Sequence, residues 1–202
     1  MLEQIKIDFE KSIKSLNLTD KKVELRKKNL ESFIEKGFPN KRVEEWKFSD
    51  LNQIISSNIK ELSFFNKVTE QSNFDQSIIV KNFDHNKIIF INGLISKIDF
   101  EYEEKNNIEI IENDDLESIE DTKNSLIYLN GAFRSSYLKI TIKKGYLLKK
   151  PLIIYHINNE KISQKAINQK IDFVLENDSS LKIINIFNGK SENNFINIYN
   201  KF

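Results

Sequence analysis

Residues 140–157 read ITIKKGYLLKKPLIIYHI, and residues 171–187 read IDFVLENDSSLKIINIF. Each stretch runs from a β-branched strand through a polar turn and a leucine into a second β-branched strand. The two copies are offset by a little over thirty residues. A strand-and-turn unit repeating at that period suits a β-solenoid, in which each coil buries its apolar face on the next. Consecutive hairpins of a sandwich produce a similar pattern, so the repeat alone leaves both architectures open. Within PLIIYHI (151–157), alternation puts Leu152, Ile154 and His156 on one face and Ile153, Tyr155 and Ile157 on the other.

The same grammar extends on both sides. SIIV (77–80), KIIFING (87–93), IEII (108–111), SLIYLNG (125–131), LKITI (138–142) and NFINIY (194–199) read as further strands. Turn-prone pairs separate them: Asn92-Gly93, Asn130-Gly131, Lys144-Gly145, Asn177-Asp178 and Asn188-Gly189. No helix-length amphipathic stretch interrupts the later strands, which argues against a doubly wound α/β fold. The first sixty residues differ. Ile5, Phe9, Ile13 and Leu16 recur at helical spacing, and a second helix over 20–36 buries Val23, Leu30, Phe33 and Ile34. Thr19 or Asp20 caps its start, and Gly37 with Pro39 ends it. Asp50 with Gln53 signals a short third helix to about Ile59. The expected organisation is a helical region over 1–75, short strands and an acidic connection over 76–124, and the first coils of a solenoid over 125–202.

Composition narrows the function classes. The 202 residues hold no cysteine, which removes disulfides, thiolate metal sites and cysteine nucleophiles from this segment. The 32 Ile, 25 Asn and 28 Lys against two Ala follow the codon usage of an AT-rich genome, so Asn-rich strings carry little functional meaning. Apolar runs are too short to span a bilayer, and the charged start lacks a secretory h-region, so the expected location is the cytoplasm. The net charge of +1 hides eleven acids against one lysine over 99–121, and eight lysines against one acid over 139–170. The acidic run reads as a mobile surface connection. The lysines fall in pairs at turns without interleaved aromatics, which fits solvated turns better than a nucleic-acid track. Neither His85 nor His156 has a carboxylate, Cys or second His at catalytic spacing, so each reads as a packed or turn residue.

The most informative local string is GFPNKRVEEWKFSDL, residues 37–51. Gly37 and Pro39 end a helix, Lys41 and Arg42 face Glu44 and Glu45, and Trp46, Phe48 and Leu51 offer an apolar anchor. One reading has the single Trp stapling a helix–loop–helix corner to the domain; the other makes the corner a docking point for a second protein.

This string, through Gly37, Pro39, Arg42, Glu45, Trp46 and Lys47, resembles a motif near the start of members of the SufB/SufD family of iron–sulfur cluster assembly proteins. Three later stretches resemble family segments in the same order: KIIFINGLIS (87–96), SLIYLNGAFRSSYLKITIKKGYLLKKPLIIYHI (125–157) and IDFVLENDSSLKIINIF (171–187). The EEWKF block (44–48) is closer to the SufD branch than to SufB. The resemblance implies an N-terminal helical part followed by a right-handed parallel β-helix, hence a mainly β, α+β chain with SufB and SufC as partners, the SufC-binding region of the family being expected beyond Phe202. It implies a scaffold subunit and no enzyme. No cofactor is expected on this segment; the iron–sulfur cluster belongs to the whole complex. Because the last strand stops at Phe202 without a covering element, the chain reads as the front part of a longer scaffold. No ligand or catalytic residue of the family maps onto these positions. Two readings of other classes stand beside it: a carbohydrate-active enzyme on a β-helix, needing clustered acids and bases on one sheet face, and a lysine-rich nucleic-acid-binding module.

Overall fold

The computed structural model describes residues 1–59, 61–65, 74–112, 119, 122–190 and 192–202. Among them are four α-helices: α1 (Leu2–Ser15), α2 (Asp20–Lys36), α3 (Leu51–Asn58) and α4 (Ser125–Phe133). Eight strands accompany them: β1 (Asn86–Ile91), β2 (Leu94–Asp99), β3 (Ile108–Ile111), β4 (Ser136–Ile142), β5 (Leu152–Asn158), β6 (Ala166–Leu175), β7 (Ile183–Gly189) and β8 (Phe195–Lys201). The fold is mixed α/β rather than mainly β. Its strands form two four-stranded sheets, ordered β2-β1-β5-β7 and β3-β4-β6-β8. Only β1–β2 and β3–β4 pair antiparallel; every other pair is parallel.

From β4 onward the chain alternates between the sheets, and each strand lies against the next but one. Leu138 pairs with Ile171, Leu152 with Ile183, and Ala166 with Phe195. The turns stack as well: Gly145 N–H donates to the Asn177 carbonyl (2.9 Å) and Leu148 N–H to that of Ser180 (3.0 Å). The two repeated stretches therefore lie on each other along strand, turn and strand. Between the sheets, Ile88, Phe90, Leu152 and Ile154 meet Leu138, Ile140, Ile142, Ile171 and Phe173. Each such side chain contributes about 1.5–3 kcal/mol on burial. The other face of the first sheet buries Ile89, Ile153, Tyr155 and Ile157 beneath Phe74, Ile78 and Ile79. β5 is thus covered on both faces, which accounts for its nearly unbroken apolar run.

The helical core joins Ile5 and Phe9 of α1, Leu30 and Phe33 of α2, Leu51 and Ile55 of α3, and Leu129 and Phe133 of α4 to Ala166 and Phe195 of the second sheet. α2 has the expected limits, but Thr19 makes no side-chain cap bond. The Asp50 carboxylate does cap α3, accepting from Gln53 N–H at 2.9 Å.

Three expectations fail for physical reasons. SLIYLNG is the helix α4, not a strand. Asn124 caps it by accepting from Leu126 N–H (3.1 Å), and nearly all of its residues are buried, so no periodicity marks it. Asn130-Gly131 consequently lies inside a helix. Gly131 is required by close approach, because a Cβ there would sit 2.5 Å from Asn29 Nδ2 and 2.6 Å from Ile119 Cδ1. Buried Arg26 closes the C-terminal end of α4, donating to the carbonyls of Ala132 (3.0 Å) and Arg134 (3.1 Å). SIIV holds a short 3-10 turn, Gln76–Ile78, started by the Asp75 carboxylate. In KIIFING, Asn92 and Gly93 both take positive φ (51° and 84°) and turn the chain into β2. This is a primed hairpin turn, as the Asn92-Gly93 pair predicts, although the strand ends at Ile91 rather than running on to Gly93. Asn188-Gly189 ends β7 in the ladder opposite Asn158 rather than forming a free turn.

The charge runs are also not what they seemed. Among the described residues of 99–121, β3 pairs with β4, and Glu103 is buried at 8% exposure. Its carboxylate accepts from Asn86 Nδ2 (2.7 Å), Tyr146 Oη (2.8 Å), Lys149 N–H (3.1 Å) and Lys150 N–H (3.0 Å). Lys149 Nζ pairs with Glu104 (2.8 Å) and Lys150 Nζ with Asp84 (3.1 Å). The acidic run therefore clamps the basic turn. Burial pushes the Glu103 carboxyl up, but its four donors outweigh burial and hold it below its ordinary value.

Two stability outcomes follow from this packing. Gly131→Ala should cost about 2 kcal/mol by overpacking, whereas Gly37→Ala, strained by φ but opening onto free space, should cost about 1 kcal/mol; urea midpoints distinguish them. Glu103→Gln should cost about 2 kcal/mol by weakening charged hydrogen bonds. Because the folded-state value is depressed, this stabilisation is present above about pH 4.3 and lost as pH falls through the folded value. The variant should show a flatter acid limb of stability against pH.

Candidate functional site

The corner between α2 and α3 is built by an aromatic cluster. Gly37 takes φ 70°, and its N–H donates to the Phe33 carbonyl at 2.7 Å. Phe38 turns inward, edge-on to Phe33 (5.0 Å, 82°) and Phe195 (6.1 Å, 86°). Pro39 is buried behind it, and its carbonyl accepts from Leu51 N–H at 3.0 Å, tying the start of α3 to the end of α2. Asn40 Oδ1 accepts from Arg42 N–H (2.9 Å) and opens the loop to the 3-10 turn Glu44–Trp46.

That turn divides the motif in two. Trp46 is half-buried against the helical core, as the stapling reading requires. Arg42, Glu45 and Lys47 point to solvent. Lys47 Nζ pairs with Glu44 at 2.9 Å and lies 5.3 Å from the Phe48 ring centre. The expected pairing of Lys41 and Arg42 with Glu44 and Glu45 is replaced, on the Glu44 side, by Lys47. Phe48 is 88% exposed, so it does not join the anchor that Trp46 and Leu51 make. Phe48 thus stands in solvent beside the Lys47–Glu44 pair, apart from the packed half of the motif.

Both histidines are packed. His85, expected in a polar turn, is 4% exposed. Its Nδ1 donates to the Phe83 carbonyl (2.7 Å), which leaves Nε2 to accept from the Tyr155 hydroxyl (2.8 Å). That hydroxyl also accepts from Val80 N–H at 3.2 Å. Burial raises the Tyr155 phenol above its ordinary value, against the Val80 bond. No group of three or more His, Asp or Glu able to hold a metal occurs among the described residues. No described helix is long and apolar enough to cross a membrane.

One polar cluster escaped the sequence reading. On the outer face of the second sheet, Tyr137, Lys170 and Tyr199 are register partners across β4, β6 and β8. Lys170 Nζ sits 5.4 Å and 5.8 Å from the two ring centres and 2.9 Å from Asp172, which also accepts from Tyr137 Oη at 3.0 Å. Arg134 lies over the same Tyr137 ring. Aligning the repeat would have revealed the row, since its members stand one unit apart. Lys170 Nζ and the Tyr137 hydroxyl both bond to Asp172 Oδ2, while Asp172 Oδ1 is buried and meets no partner among the described residues.

No family model matches the chain. The iron–sulfur cluster assembly protein SufD of Escherichia coli (strain K12) is 24% identical over 131 residues, covering 64% of this chain and 30% of that protein. The match thus spans under a third of the relative's length. The chain is distantly similar to SufD.

Proposed function

We propose that this chain is a scaffold component of an iron–sulfur cluster assembly complex, with SufB-like and SufC-like subunits as its partners. The observation that carries the reading is the in-register stacking of β4–β6–β8 and β5–β7 beneath a helical region, in a chain distantly similar to SufD. On this reading the two sheets begin a parallel β-helix. The strong preference of parallel crossovers for one hand makes it right-handed. The cluster is cargo of the complex; with no cysteine available, this segment contributes shape and contacts rather than thiolate ligands. The chain supports assembly and carries no chemistry of its own. The cytoplasm is the compartment in which such a scaffold would work.

The corner of Gly37, Pro39, Arg42, Glu45, Trp46 and Lys47 is assigned two jobs. Gly37, Pro39 and Trp46 hold the loop on the helical core. Arg42, Glu45, Lys47 and Phe48 face the partner.

Co-purification of the tagged chain with SufB and SufC from the same source tests this. The expected outcome is retention of SufB, reduced about tenfold or more by Phe48→Ala, as for an exposed aromatic at the centre of an interface. Circular dichroism and the urea midpoint should be unchanged in that variant. Absence of any SufB retention by the unsubstituted chain removes the scaffold reading. Undiminished retention by Phe48→Ala removes only the docking role of the corner.

A further inference from the structure

Two clefts flank the loop that joins α2 to α3, and Lys36, Phe38, Asn40 and Arg42 line both. The one on the α1 side encloses about 520 Å³, the size of a pocket that seats one small ligand or a few side chains. Its apolar lining comes from Phe38, which is buried, and from Met1 and Leu2, which are 45% and 46% exposed. Its basic lining is Lys36, Lys41 and Arg42. Its acid, Asp50, is committed elsewhere, because Oδ1 caps α3 through Gln53 N–H.

Lys41 and Arg42 are exposed and make no ion pair among the described residues. The neighbouring lysine, Lys47, is answered by Glu44, and the lysines of the stacked turn by Glu104 and Asp84. Two unanswered cations beside exposed apolar side chains favour an occupant that brings carboxylates and an apolar group together. The guanidinium fork of Arg42 suits a carboxylate held by two parallel bonds. The loop that presents it is already fixed: Asn40 Oδ1 accepts from Arg42 N–H, and the Pro39 carbonyl accepts from Leu51 N–H. Little ordering is left for binding to impose on the loop. Glu44 and Glu45 line the second cleft and repel a long polyanion, so a nucleic-acid backbone fits this corner worse than a short protein segment.

We infer that the α1-side cleft seats a short acidic amphipathic segment of a partner protein, with its carboxylates on Lys41 and Arg42 and its apolar side chain against Met1 and Leu2. This rests on the reading of the corner as the surface that faces a partner, and it names what that partner presents.

Fluorescence anisotropy of a labelled synthetic peptide provides the test. One peptide carries leucines and glutamates at helical spacing, and the second replaces each glutamate with lysine. The glutamate peptide should bind with a Kd below about 1 mM, and the lysine peptide should not bind. Affinity should fall several-fold between about 50 and about 500 mM salt. Lys41→Glu with Arg42→Glu should weaken binding about tenfold or more, with circular dichroism unchanged. Leu2→Ser should weaken it while leaving the salt dependence intact, and these two readouts decide should the double variant fail to fold. Lys21→Glu with Lys27→Glu, exposed on α2, should leave the affinity as it is. No binding of the glutamate peptide, equal binding of both peptides, unchanged affinity in the corner variant, or the same loss from both double variants overturns the inference. Co-purification separates this from the scaffold reading. SufB retention undiminished by Lys41→Glu with Arg42→Glu overturns the inference and leaves the scaffold; peptide binding as expected without any SufB retention keeps the cleft and removes the scaffold.

Discussion

Every feature of the second half depends on one constraint: each strand must lie parallel to, and in register with, the next strand but one. Parallel pairing brings residues one repeat apart into contact, so a side chain is judged by whether it tolerates its counterpart in the next unit. Leu138 on Ile171 and Ile140 on Phe173 satisfy this by burial. Phe90, His156 and Phe187 satisfy it by stacking, and Tyr137, Lys170 and Tyr199 by placing a cation between two ring faces. The helices depend on the same ladder, since Ala166 and Phe195, which complete the helical core, are register partners at the start of β6 and β8.

The electrostatics follow from it too. A stacked turn leaves backbone N–H groups on the side facing away from its partner, and those of Lys149 and Lys150 need an acceptor. Glu103, arriving from the acidic run, supplies both bonds. The solvated lysine turn and the acidic run, read separately in the sequence, meet at one buried carboxylate.

The strands of the repeat were legible because alternation and turn residues fix them locally. α2 was equally legible because its apolar face and Gly37 agree. α4 was not, because a helix buried on nearly all sides has no stripe, and SLIYLNG reads as a short apolar run in either period. Glu103 was lost within a run of acids, none of which differs from it in sequence; only the fold separates the one that is buried. At the corner, Gly37, Pro39 and Trp46 were readable as structural residues. The divergence of Phe48 from Trp46 was not, since Trp46 ends the 3-10 turn and Phe48 lies two positions past it, where tertiary packing alone decides which way each ring faces. The Tyr137–Lys170–Tyr199 row was within reach of the repeat and needed only the register.

The asparagines take on a different meaning in this light. Asn92 and Asn159 exchange bonds across adjacent layers, with Asn92 Nδ2 donating to Asn159 Oδ1 and Asn159 N–H to Asn92 Oδ1. Asn197 Nδ2 donates to its register partner Asn168. An amide carries both a donor and an acceptor, so a column of identical amides satisfies itself in a way that a column of like charges cannot. A genome whose codons press toward asparagine therefore meets little resistance in such a fold. The Asn168–Asn197 rung shows both sides of this: the two amides bond across β6 and β8, while Asn168 Nδ2 is left buried without a partner.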